Sequence, residues 1–390
     1  MRVLVVSNTP FAPADAGNRV RIAEMLRYLA AQGAELGVLL LADWDTDRWD
    51  LAGMRSDAAW VEVARPSLLA RARRRFAPRA APGADLDVDA WCPSWFRERV
   101  RAAAEAWRPD VVLAEYVFLS ACLEGLPASC LRVIDTHDVM HRRRAAYDAA
   151  GVAPSWFLTT RAEERRGLVR ADLVLAMHDA DAACLRELAP GCEILTVGHG
   201  CHGGGPSDIE PVAGRVLFAG SFNDLNVAGL RWFLAEVWPR VRAQAEAELH
   251  VCGTVAEKLA EPPPAVVVRG SVPALAPEIG AASVVVDPLR AGTGLQIKVA
   301  DALAHGRPVV AAPAAAAGIP TGEEHGVLVA GDATAFADAV VALLVDWDRW
   351  QRVAAGAASA ARRFEPEAAF GPLWRRLARA AGPGQVPGQV

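Results

Sequence analysis

The chain has 390 residues, 53% apolar and 22% charged, with a formal net charge of −5. That length exceeds one ordinary domain and suits two, and the charge balance gives no reason to expect a nucleic-acid partner. No apolar run is long enough to span a membrane, and seven scattered cysteines without Cys-x-x-Cys spacing point to reduced thiols in the cytoplasm, not to zinc or disulfides.

Residues 1–6 are too short for a signal-peptide core and read as a first buried strand. A loop rich in turn formers follows, with Gly17 and Asn18 at its end. Residues 18–31 show helical spacing at Ile22, Met25, Leu26 and Leu29. Gly33 ends that helix, and 35–41 is a second strand. Strand, helix, strand in this order means a parallel sheet. Ligands of such sheets lie beyond the carboxyl ends of the strands, so the long loop before residue 18 is a site candidate.

Residues 44–107 carry little pattern. The basic stretch 68–79 reads either as a contact to an anionic membrane surface or acidic acceptor, or as a solvated helix end, which we favour. Asp85, Asp87 and Asp89 could hold a hard cation but lack companion ligands, so a solvated cluster is favoured. Strands 108–116 and 131–135 end in Glu115-Tyr116 and Asp135-Thr136-His137-Asp138. Taken alone, His137 is a capping or core histidine. With Asp138 and His141 it makes only a weak metal set. A helical region is expected over 141–170, a strand over 171–177, a helix capped by Asp179, and a strand over 194–197. The glycine tract that follows contains His199, Cys201 and His202. It offers no fourth metal ligand and reads as a linker.

The pattern then restarts. Strands are expected at 215–220, 248–253, 266–270 and 283–286. A loop with Ser221, Asn223 and Asn226 precedes a helix over 227–243, and a short helix falls within 272–282. Val284-Val285-Val286 runs into Asp287-Pro288, then Gly292-Thr293-Gly294, then a helix with Leu295, Val299, Ala302 and Leu303 on one side. Gly306 suits the helix end and Pro308 cannot continue it. A glycine loop opening a helix presents free N–H groups and a positive dipole end to a phosphate. Lys298 and Asp301 project from the same helix, a cation for phosphate and a carboxylate for ribose hydroxyls. The competing reading is a plain turn with a solvated ion pair. A strand over 326–329 and helices over 332–344, 347–364 and 370–381 follow. Residues 382–390 repeat Pro-Gly-Gln-Val and are expected to be disordered.

Pro288-Leu289-Arg290, Gly292-Thr293-Gly294, Lys298, Asp301 and Ala302-Leu303-Ala304-His305-Gly306-Arg307-Pro308-Val309-Val310 together resemble the donor-binding segment of retaining GT-B glycosyltransferases, family 4. The usual family pattern has two glutamates where this chain has Thr293 and Asp301. The linker and the 221–226 loop also depart from the usual pattern, the latter by lacking a cation.

The resemblance implies an α/β GT-B fold, two Rossmann-like domains facing a central cleft. These are an acceptor domain (1–200), a linker (201–213), a donor domain (214–365), a terminal helix crossing back to the first domain (366–381) and a tail (382–390). It implies metal-independent sugar transfer from a nucleotide-diphosphate sugar, with retention at the anomeric carbon and no cofactor. The acceptor is left open among small-molecule, lipid-linked and polysaccharide classes. The chain is expected as monomer or homodimer, with at most weak peripheral membrane contact. His137 would approach the sugar. Donor contacts would come from Gly17, Ser221, Asn226, Val272, Arg290, Gly292, Thr293, Gly294, Leu295, Gln296, Lys298 and Asp301. Acceptor contacts would come from Asn18, Glu115 and Asp138. A nucleotide-sugar 2-epimerase of the same fold and a non-catalytic binding partner are the alternatives.

Overall fold

The computed structural model describes residues 1–42, 46, 49–67, 81, 83–205 and 207–381. The basic stretch 68–79 and the tail 382–390 lie outside them. Two parallel sheets are present. The first contains β1 (Arg2–Ser7), β2 (Glu35–Leu41), β3 (Trp60–Ala64), β4 (Val111–Glu115), β5 (Leu131–Asp135), β6 (Leu173–Ala176) and β7 (Glu193–Thr196), in the order 3-2-1-4-5-6-7. The second contains β8 (Arg215–Ala219), β9 (Glu248–Cys252), β10 (Val266–Gly270), β11 (Val284–Asp287), β12 (Val309–Ala311) and β13 (Val327–Val329), in the order 10-9-8-11-12-13.

Continuous apolar runs are what a strand covered on both faces requires. Val3 and Val5 enter one core cluster while Leu4 and Val6 enter the other. Val216 and Phe218 are likewise separated from Leu217 and Ala219. The helix after β1, α1 (Gly17–Ala31), buries Ile22, Met25, Leu26 and Leu29 as its spacing requires.

The long helix expected over 141–170 is broken. A 3-10 turn (Met140–Arg142) leads into α4 (Arg143–Ala150), which Gly151 ends at φ 64°, and α5 (Arg161–Leu168) starts anew with Thr160 accepting from the Glu163 N–H. Before them come α2 (Leu51–Ser56) and α3 (Ser94–Trp107), neither of which the sequence pattern revealed. The helix after β6, α6 (Asp179–Leu188), is capped by His178, not Asp179. The helix expected over 227–243 begins earlier, as α7 (Asp224–Trp232) with Asn223 as cap. It passes through a π turn (Phe233–Val237) and resumes as α8 (Trp238–Arg242), where Pro239 can sit only in a first turn. The aspartates at 85, 87 and 89 form ion pairs on the surface: Asp85 with Arg144, Asp87 with Arg166, and Asp89 with Arg166 and Arg170.

The second sheet's helices are α9 (Ala276–Ala281), α10 (Ile297–Ala304), α11 (Ala333–Val345) and α12 (Trp347–Ala360). The last helix, α13 (Pro366–Ala381), buries Phe370, Leu373, Trp374 and Leu377 in a cluster of the first sheet. These positions form one helical stripe. Phe370 also presses on Gly200, where an added Cβ would lie 2.6 Å from its ring. Among the described residues no helix is long and apolar enough to cross a membrane. Phe370→Ala should cost about 3–5 kcal/mol by cavity formation. Urea unfolding followed by tryptophan fluorescence measures this, and an unchanged transition would mean that α13 adds nothing to the first core.

Candidate active site at the seam between the sheets

Each sheet reverses its strand order once, between β1 and β4 and between β8 and β11. A crevice opens at such a reversal, beyond the carboxyl ends of the strands, because the flanking connections leave in opposite directions. The chain places both reversals against each other. An added Cβ on Gly17, at the start of α1, would lie 3.3 Å from Ile297, at the start of α10. Gly294 has φ 70°, and a Cβ there would lie 2.5 Å from the His137 carbonyl oxygen. Only glycine satisfies both the backbone angle and this approach. Thr293 Oγ1 donates to Asp138 Oδ2 at 2.5 Å, and Ser155 donates to Asp224 further along the seam.

On the first sheet's side the organiser is Arg21, which the sequence reading passed over. Its guanidinium is wholly buried. It forks onto Asp135 (2.7 and 2.9 Å) and donates to the carbonyls of Val197 (3.0 Å) and Gly198 (2.6 Å). Burial works to raise the Asp135 carboxyl, but Arg21 and then His137 outweigh it and hold the group below its ordinary value. Next to it, His137 Nε2 lies 2.6 Å from Glu115 Oε2. Complete burial pushes the Glu115 carboxyl up, against the pull of that hydrogen bond. The imidazole stacks on Tyr116 with centroids 4.0 Å apart, and Asn18 Nδ2 donates to the Tyr116 hydroxyl at 3.0 Å. His137 and Tyr116 both have positive φ, 60° and 68°, a conformation that costs energy in residues of this bulk and gathers at functional sites.

Glu115 therefore has no surface for the acceptor contact expected of it; it lies beneath His137 and orients it. Asn18 is tied to Tyr116, and Asp138 is held by Arg143 at 2.7 Å as well as by Thr293. His141 is turned away from Asp138 and pairs with Glu164 at 2.5 Å. Among the described residues Glu115, Asp135 and His137 form a cluster of metal-type ligands, whose ligand atoms lie within 4.8 Å of one another. Arg21 already supplies the positive charge facing Asp135.

On the second sheet's side, the glycine loop does not open the helix directly. Gln296 is extended, so α10 begins at Ile297, and Leu295 and Gln296 belong to the loop. Its far end closes as the sequence suggests: Gly306 and Arg307 N–H groups bond back to the Leu303 and Ala302 carbonyls. Lys298 Nζ reaches Asn226 Oδ1 at 2.9 Å and the buried Asp287 at 3.0 Å. The Asp287 carboxyl is pushed up by burial, with Lys298 opposing. Arg290 is exposed and lies 5.3 Å over the Trp232 ring. Ser221 accepts from Asn226 through its carbonyl. Val272, half-buried on the turn after β10, packs on the same core cluster as Leu295. Asp301 accepts from His199 of the linker at 3.1 Å.

Nine buried side-chain nitrogen or oxygen atoms lack a partner among the described residues, and five of them line this seam: Asn8 Nδ2, Glu115 Oε1, Asp138 Oδ1, His199 Nδ1 and Asp287 Oδ2. Buried polar atoms are normally satisfied, so their concentration here marks the seam as the most polar part of the interior described by these nine atoms. Arg21 had one sequence signal: it shares a helical stripe with Met25 and Tyr28. A cation on an apolar stripe needs a buried anion. Arg21→Gln should cost about 3–5 kcal/mol by stranding Asp135. Asp135 has a folded value below its ordinary 3.8, so its contribution is present above about pH 4 and is lost as pH falls through the folded value. The variant should lose that acid-side slope in denaturant titrations across pH 2–5; an unchanged profile would mean the pair contributes nothing.

Residues 213–346 match the family model described as Glycosyl transferases group 1. No curated protein matches the chain. Solved structures similar to it include sucrose-phosphate synthase from Thermosynechococcus elongatus, at TM-score 0.71 and 16% identity over 97% of this chain and 100% of that one. Anabaena HepE in complex with UDP and glucose aligns at TM-score 0.67 and 13% identity, over 97% of this chain and 100% of that one. A Staphylococcus aureus TarM variant in complex with fondaparinux, α-GlcNAc-glycerol and UDP aligns at 0.69 and 8%, over 96% and 99%. The chain has the two-sheet α/β GT-B glycosyltransferase fold, and its second sheet lies in the segment matched by the group 1 glycosyl transferases.

Proposed function

We propose that the chain transfers a sugar, hexose-like, from a nucleotide-diphosphate sugar to an acceptor hydroxyl, with retention at the anomeric carbon and without a metal. The observation that carries this reading is the apposition of the 292–294 loop, which leads into the helix of Lys298, to His137 and Asp138 across the seam. Loop and helix N–H groups with Lys298 and the exposed Arg290 would hold the diphosphate. Asp287 tempers Lys298, so the lysine is fixed in place before the phosphate arrives. Asp301 would accept from ribose, and the Val272 turn would face the base. Two of the similar structures were solved with UDP, which fits such a donor.

The sugar would then lie against His137. Glu115 accepts from its Nε2 and Tyr116 supports its ring face, so the imidazole is held without reorganisation. Of the three carboxylates around His137 none is free to act as nucleophile: Glu115 is buried beneath the imidazole, Asp135 is taken by Arg21, and Asp138 by Arg143 and Thr293. In this reading the departing phosphate takes the acceptor proton on the face it leaves. Contact between the two sides excludes water and limits donor hydrolysis.

Lys298→Ala should weaken donor and nucleoside diphosphate alike, by about tenfold or more for one charge-assisted contact. His137→Ala should lower kcat about a hundredfold while nucleotide affinity changes little. Calorimetry and steady-state kinetics separate the two effects. The rate should survive EDTA, and the product's anomeric proton should show the donor's configuration by NMR. Inverted product, or a rate abolished by EDTA, would contradict this mechanism.

A further inference from the structure

Residues 198–205 run from the first sheet towards the second across α10, and they are fixed on both sides. From α1, Arg21 holds the Val197 and Gly198 carbonyls, and Glu24 accepts from the His202 N–H at 2.6 Å. From the other side, the Cys201 N–H donates to the Phe364 carbonyl and the Gly205 N–H to the Ala304 carbonyl, each at 2.7 Å. Gly200 is pressed against Phe370. His199 stands in the middle of this run with its side chain fully covered. Its Nε2 bonds Asp301 Oδ1 at 3.1 Å, while its Nδ1 is buried without a partner. A proton on Nε2 suits this arrangement, because that nitrogen is the one facing the Asp301 oxygen. Beside it, the Cys201 thiol is pushed up by burial, then by the Asp301 and Glu24 carboxylates and by a hydrogen bond to Asp301, so it stays protonated and is a second, weaker donor to that carboxylate.

Asp301 stands three residues beyond Lys298, on the same side of α10. It is one methylene shorter than glutamate, so its reach depends on where its carboxylate is held. We propose that His199 is a positioning residue for donor recognition. By engaging Oδ1 from a fixed linker, it orients Asp301 so that the other oxygen accepts from the ribose 2′-hydroxyl. The His199–Asp301 pair thereby sets a preference for ribo- over 2′-deoxyribonucleoside diphosphates. This rests on the donor-site reading of α10 and adds to it a residue outside both sheets. A carboxylate with one oxygen held by a buried imidazole has lost most of its rotamer freedom, so a hydroxyl meets an acceptor already in place.

The test is a calorimetric comparison of UDP, GDP and ADP with their 2′-deoxy counterparts. For the preferred base, the wild-type chain should bind the ribo form about tenfold more tightly, as for one hydrogen bond to a charged group. His199→Ala and His199→Asn, which leave no donor at the Nε2 position, should bring that ratio close to one. His199→Gln, whose amide nitrogen can take the place of Nε2, should keep it. The ratio cancels any general loss of folded protein, and thermal unfolding identifies a variant that fails to fold. His199→Asn keeps a polar group at the site if His199→Ala does not fold. An undiminished ratio in His199→Ala and His199→Asn overturns the proposal, as does a wild-type chain that binds both forms equally. Absence of binding by every nucleotide overturns the donor-site reading itself, and the proposal with it.

Discussion

The buried pair of Arg21 and Asp135 is the interaction on which the site depends. Two charges removed from water are tolerated only when each is fully answered. Here the guanidinium answers Asp135 through two bonds and spends two of its other three donors on the carbonyls of residues 197 and 198. One side chain on α1 thus fixes the end of β5, from which His137 leaves, and the start of the segment that leads to the second sheet. Had the fold needed only stability, an apolar pair of similar volume would have served as well. The ion pair supplies direction. It places a histidine with a strained backbone beside a buried glutamate, and it holds the 197–198 backbone in one course.

The second sheet answers with backbone instead of charge. Gly294 brings the loop's main chain against the His137 carbonyl, where no side chain would fit. Thr293 and Asp138 then join the two sides through a hydrogen bond. The cation on this side is restrained: Lys298 is shared between Asn226 and Asp287. A lysine held in this way loses less freedom when it meets an anion, although its field is weakened by the carboxylate behind it. The orphaned atoms of Asn8, Glu115, Asp138, His199 and Asp287 fall along the same seam.

Much of the fold was legible because parallel strands covered on both faces are written as short β-branched and leucine runs. Glu35–Leu41 and Leu131–Asp135 stand where those runs predict. Trp60–Ala64 was not legible: it is an edge strand with a mixed burial pattern, so its residues do not form such a run. The break between α4 and α5 was hidden because the charges of 161–166 suit a helix surface whether or not the chain pauses at Gly151. The site was half legible. The glycine loop, Lys298 and His137 carry recognisable residue types at recognisable places, and the loop does meet His137 at the seam. What sequence could not show was partnership. Glu115 reads as an exposed strand-end acid but lies beneath His137. Arg21 reads as one of many arginines but is wholly buried. Asp301 reads as a free carboxylate but is held by His199, from a tract whose glycines suggested only a linker.

The most direct test of the account is whether the seam takes a nucleoside diphosphate at all. The measurement is a thermal-shift screen of the intact chain against UDP, GDP, dTDP, ADP and their sugars, with and without EDTA. A ligand that binds only the folded chain raises the melting temperature by mass action. The account predicts a clear rise with one base, equal in the presence of EDTA. No rise with any of them would contradict it, leaving the apposed loops as a structural joint and the GT-B fold without its donor.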